Sequence, residues 1–139
     1  MITEDYCSFE LAKQLKEKGF TEPCYRWYDD KGTVSAKFIN PDIPLDYASR
    51  DNYLCPTHQM TMKWLRKKQI YIRIIEDAFG KSFRFEIYSK NPNVKINYYV
   101  PNYYEDTYED AVEAALKYYV ENMISMTQED ITLKDMTNE

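Results

Sequence analysis

Three runs between residues 70 and 100 constrain the fold more than anything else in the chain. Ile70-Tyr71-Ile72-Arg73-Ile74-Ile75, Phe83-Arg84-Phe85-Glu86-Ile87-Tyr88 and Val94-Lys95-Ile96-Asn97-Tyr98-Tyr99-Val100 alternate between apolar and polar side chains. A period of two sends successive side chains to opposite sides of a strand, so three such runs in series predict an antiparallel meander. Its apolar face would carry Ile70, Ile72, Ile74, Phe83, Phe85, Ile87, Val94, Ile96, Tyr98 and Val100. Its back would carry Tyr71, Arg73, Arg84, Glu86, Tyr88, Lys95, Asn97 and Tyr99. A loop over 89–92 would pair 88 with 93, 86 with 95 and 84 with 97, which sets Glu86 opposite Lys95. A one-residue slip would carry the apolar set to the wrong face, so the pattern resists it.

Helices flank these runs. Ser8 caps a first helix whose inner side is Phe9, Leu11, Ala12 and Leu15; Gly19 and Phe20 then fit a Schellman ending. Cys24 to Tyr28 reads as a strand, Asp29-Asp30-Lys31-Gly32 as a turn, and Thr33 to Ile39 as the returning strand. Residues 40–55 read as an irregular loop, long enough to offer a partner something to touch. A second helix begins near Pro56-Thr57, with Thr57, Met60, Thr61, Trp64, Leu65 and the Lys68 stem on one face. Thr107 caps the last helix, Asp106, Glu109, Asp110 and Glu113 crowd its positive end, and Tyr108, Ala111, Val112, Ala115, Leu116, Tyr119, Val120 and Met123 recur at helical spacing. The expected fold is therefore α+β, in the order α-β-β-α-β-β-β-α, with the meander under the C-terminal helix. Residues 1–124 would form one domain, and the polar residues 125–139 a frayed tail.

Several function classes are excluded or left without support. Three glycines in 139 residues leave no Gly-rich loop for a nucleotide phosphate. Cys7, Cys24 and Cys55 are odd in number and lack C-x-x-C spacing, so neither a disulfide framework nor a zinc knuckle is expected. No metal and no cofactor is expected either. The acidic start lacks the pattern of a secretory leader, and no run is long enough to span a membrane. A reduced, cytoplasmic protein is the expectation. Net charge is −5, but it divides unevenly: −3 over residues 1–62, +5 over 63–90 and −7 over 91–139. Such a basic middle either meets a polyanion or is neutralised by its acidic flanks.

The candidate site is the back of the sheet, with Tyr71, Arg73, Arg84, Tyr88, Lys95 and Tyr99 as binding residues. Three uses are open. The N-terminal helix and hairpin would cover the face as a second core layer. Otherwise, the tyrosines would contact a protein or a second copy of the chain. Nucleic acid is the third use, with aromatics stacking on bases while Arg73, Arg84, Lys95 and the Lys63/Arg66/Lys67 surface meet phosphates. The helix–three strands–helix order of residues 57–123 resembles double-stranded-RNA-binding domains, but the last helix starts Thr107-Tyr108-Glu109-Asp110, which repels phosphate. Catalysis has a thin basis. His58 is the sole histidine, and a thiol–imidazole pair with Cys55 competes with the simpler expectation of a buried structural thiol and a local hydrogen-bonding histidine. A binding protein is expected, not an enzyme, with a protein partner or self-association ahead of nucleic acid.

Three segments carry a family resemblance: Met1 to Lys13 (MITEDYCSFELAK), Pro56 to Arg66 (PTHQMTMKWLR) and Tyr108 to Tyr119 (YEDAVEAALKYY). The chain resembles a group of small proteins from gut Bacteroidetes, their phages and mobile elements. That group has no established activity, so the resemblance transfers no functional residue. It implies a bacterial or phage intracellular setting and an accessory role.

Overall fold

The structure, a computed structural model, describes residues 2–35, 52–90 and 98–122. The elements run α1 (Phe9–Glu17), β1 (Trp27–Tyr28), β2 (Tyr53–Leu54), α2 (His58–Lys67), β3 (Ile70–Glu76), β4 (Phe83–Ser89), β5 (Tyr98–Tyr99) and α3 (Tyr108–Asn122). This is the expected α+β order. One strand differs in identity, because β1 pairs with Tyr53–Leu54 at the end of the supposed loop. The expected turn at 29–32 forms, and Val34 makes a single bridge to Tyr28, while residues 36–39 lie outside the described ones.

Local chemistry sets the helix ends. The Ser8 hydroxyl accepts from the Leu11 N–H, and Thr57 and Thr107 do the same for Met60 and Asp110. At the end of α1 the Phe20 N–H reaches the Leu15 carbonyl and the Gly19 N–H reaches that of Lys16, with Gly19 at φ +90. That is the Schellman pattern, and Phe20 turns into the core as the motif requires. The end of α2 makes a similar turn without glycine: Gln69 sits at φ 63.

The core lies on the apolar face of the sheet β3-β4-β5. Phe85 and Ile87 from its central strand meet Leu116, Tyr119 and Val120 of α3, Leu65 of α2, and Leu11 and Leu15 of α1 in one buried cluster. α3 runs between the sheet and α1, which explains its broad apolar stripe. Ala111, Val112, Ala115, Leu116, Tyr119 and Val120 are all buried and span about half the helix circumference. Burying each larger side chain contributes about 1.5–3 kcal/mol.

Register is where the sequence expectation fails. β3 and β4 pair as Tyr71 with Tyr88, Arg73 with Glu86 and Ile75 with Arg84, which keeps the expected faces. β4 and β5, however, pair as Tyr88 with Tyr98 and Ile87 with Tyr99. Tyr98 therefore belongs to the back and Tyr99 to the apolar side, the reverse of the expectation. Tyr99 stacks on Tyr118 of α3 at 3.9 Å between ring centroids and leans on Phe85. The physical reason is degeneracy: two adjacent tyrosines read alike in either parity, so only their tertiary partners decide. Lys95 lies outside the described residues, and the carboxylate of Glu86 is bound by Arg73.

Candidate functional site

The back of the sheet is organised in rows. Tyr71, Tyr88 and Tyr98 stand opposite one another across all three strands. Tyr71 and Tyr88 stack with centroids 5.2 Å apart and planes at 18°. Behind them comes the pair Arg73 and Glu86, then Ile75 and Arg84. Glu86 ties the first two rows together, because it meets the Arg73 guanidinium at 3.1 Å and accepts from the Tyr98 hydroxyl at 2.9 Å. That hydrogen bond to a carboxylate raises the Tyr98 phenol above its ordinary value. The Arg84 guanidinium lies 5.2 Å over the Tyr104 ring, and among the described residues its buried Nε has no hydrogen-bond partner. Lys90 sits 5.7 Å from the Tyr71 ring.

This face is not a second core layer of the expected kind. α1 packs on α3 and β2, on the other side of the sheet. Tyr88 is 37% exposed and Tyr98 63%. Of the six expected binding residues, Tyr71, Arg73, Arg84 and Tyr88 share the face, Tyr99 has turned to the core, and Lys95 falls outside the described residues. Sequence reasoning passed over Tyr98 and the linking role of Glu86. The second nucleic-acid surface is separated from the first. α2 packs on the apolar side through Trp64 and Leu65, so its exposed Lys63, Arg66 and Lys67 are divided from Arg73 and Arg84 by the sheet itself.

His58 and Cys55 form no pair. The His58 ring lies 3.3 Å from the Glu113 carboxylate of α3, whereas the Cys55 thiol is directed at the Cys7 carbonyl. Glu113 is itself a junction. It accepts the backbone N–H of Ser8 at 2.9 Å and the Ser8 hydroxyl at 3.3 Å. A capping box normally uses a glutamate three residues after the cap to bond the cap N–H. Here that carboxylate comes from a different helix, and no local sequence signal could have revealed it. A cavity of about 270 Å³ opens beside His58, walled by Glu4, Asp5, Tyr108 and Glu109 among others. The three cysteines are free and buried. Desolvation pushes the Cys24 thiol up to about 12 and raises Cys7 and Cys55 as well, which favours the neutral thiol over the thiolate at all three. Among the described residues there is no group of three or more metal-binding side chains, and no helix is long and apolar enough to cross a membrane.

No family model, curated protein or solved structure matches this chain.

Proposed function

We propose that this protein is a non-catalytic binding module whose working surface is the tyrosine-bearing back of the sheet, and that the partner is a protein. The observation that carries this reading is the row Tyr71–Tyr88–Tyr98, left open by the described helices and bordered by Arg73, Arg84 and Lys90. Tyrosine and arginine are the residues that interface cores favour, because they combine large apolar area with a polar tip at modest entropic cost. A polyanion is less well served. Arg73 is already neutralised by Glu86, and that carboxylate stands in the middle of the face. The resemblance to small proteins of gut Bacteroidetes and their phages supports a bacterial or phage cytoplasm as the setting.

The test compares the wild-type chain with Tyr88→Ala/Tyr98→Ala, two exposed residues whose loss leaves the core intact. Affinity capture from bacterial host lysate with nuclease present should recover a protein with the wild type and lose it with the variant. Equal recovery at matched thermal stability would reject the face. Binding to single-stranded oligonucleotides at about 50 mM salt that weakens steeply as salt rises would instead favour nucleic acid.

A further inference from the structure

Two guanidinium groups stand on the back of the sheet, and the described residues answer only one of them. Arg73 meets the Glu86 carboxylate at 3.1 Å. Arg84, two residues before Glu86 on the central strand, has no ion-pair partner among the described residues. Glu86 does not serve it, because Arg73 and the Tyr98 hydroxyl take up that carboxylate. The Arg84 Nε is closed off from solvent and meets no acceptor among the described residues. A cation drawn partly out of water without a counter-ion is costly, and an incoming carboxylate offsets that cost. The side chain is also held in place before any partner arrives. Its guanidinium lies 5.2 Å over the Tyr104 ring, and Ile75 stands opposite Arg84 on β3. A guanidinium fixed by stacking loses little freedom when it forms its hydrogen bonds. Arg84 as a whole is half-buried, so a partner can still reach it from the solvent side.

Resting on the tyrosine face as the working surface, we propose that Arg84 receives an aspartate or glutamate side chain, and that the protein partner presents an acidic segment. Charge favours this. The described back of the sheet sets Arg73, Arg84 and Lys90 against the single carboxylate of Glu86. The planar fork of a guanidinium matches a carboxylate with two parallel hydrogen bonds. A phosphorylated segment is served less well, because phosphate is recognised by arginine clusters and Arg73 is already occupied. A C-terminal carboxylate is captured by nests of backbone N–H groups, whereas the face of a sheet offers side chains. Tyr88 lies about 13 Å along the strand from Arg84, a distance that about four residues of an extended segment span. One short segment can therefore place its acid on Arg84 and an apolar side chain on the tyrosine row.

Random peptides displayed on phage, selected on the wild-type chain and counter-selected on Tyr88→Ala/Tyr98→Ala, supply the probe. The expected binders share an aspartate or glutamate. One binder and its asparagine or glutamine counterpart are then titrated against the wild type, Arg84→Gln and Arg73→Gln. Removing the carboxylate should weaken binding to the wild type about tenfold or more. On Arg84→Gln it should change nothing further, a cancellation that a merely structural arginine would not produce. Side-chain NMR of the wild type gives the answer even if that variant does not fold. There the Arg84 Nε–H signal should move with the acidic peptide and stay in place with its amide counterpart. Binders that need Tyr88 and Tyr98 but share no acid overturn the acidic partner and leave the face as a binding site. So does an acid that couples to Arg73 and not to Arg84. Failure to select any peptide that needs Tyr88 and Tyr98 rejects the face itself, and the acidic partner with it.

Discussion

Glu113 and Glu86 are a matched pair with opposite surroundings. Each carboxylate meets one cationic or titratable side chain and one hydroxyl: His58 and Ser8 for Glu113, Arg73 and Tyr98 for Glu86. Their own side chains are similarly covered, at 20% and 14% exposure. Their partners differ. The His58 side chain is 10% exposed against 67% for Arg73, and Glu113 additionally holds the backbone N–H that opens α1. The lesson is that a carboxylate's contribution depends on what its removal leaves behind. Losing Glu113 strands a helix N-terminus and a buried imidazole, whereas losing Glu86 hands an arginine and a phenol to water.

The largest test of this contrast is the pair of substitutions Glu113→Ala and Glu86→Ala in denaturant titrations. Glu113→Ala should cost about 2–4 kcal/mol, the scale of orphaning buried donors and a buried pair. Glu86→Ala should cost about 1 kcal/mol or less, the scale of a pair whose cation is solvated. Equal losses would break the comparison.

Alkaline pH reaches the buried side next. The Cys24 thiol, pushed up to about 12 by burial, holds its proton more tightly folded than unfolded. Stability is therefore complete below the ordinary thiol value and declines as pH rises from about 9 towards 12, by about 1.4 kcal/mol at pH 10 for this one group. Thermal melts across this range should show the fall, and Cys24→Ala should make it shallower. A flat profile would show that the thiol is not desolvated.

Smaller again is Ser8→Ala. It removes the cap to Leu11 and one of the Glu113 contacts while leaving the Ser8 N–H in place. A loss of about 1 kcal/mol in chemical unfolding is expected. A loss as large as that of Glu113→Ala would mean that the hydroxyl, not the backbone N–H, anchors the junction.

The gentlest test addresses the exposed side. Tyr98 titrates above its ordinary value of 10 because its hydroxyl donates to Glu86. Ultraviolet titration of Glu86→Gln should bring one tyrosine back towards that value. An unchanged curve would mean that the row of tyrosines and the charged row behind it are not coupled.

Much of the fold was legible because its signals are local. Ser8 and Thr107 each bond an N–H three residues ahead, and Gly19 takes a backbone conformation that most side chains avoid. Strands β3 and β4 announce their faces by alternation, and tight pairing preserves it. The candidate site was legible only in part. Tyr71, Arg73, Arg84 and Tyr88 belong to those two strands and stand on the expected face. Tyr98 and Tyr99 exchanged places because identical neighbours carry no parity. β2 was invisible because Tyr53-Leu54 is too short to show a period.

By itself, then, the sequence determined the three helices, the caps of the first and last of them and the two faces of β3 and β4, all consequences of backbone geometry acting over a few residues. Tertiary structure decided which tyrosine of β5 faces the core, that α1 packs against α3 and not on the sheet's back, and that Glu113 caps a helix 105 residues away. Those outcomes depend on partners distant in the chain, and a short-range pattern carries no information about them.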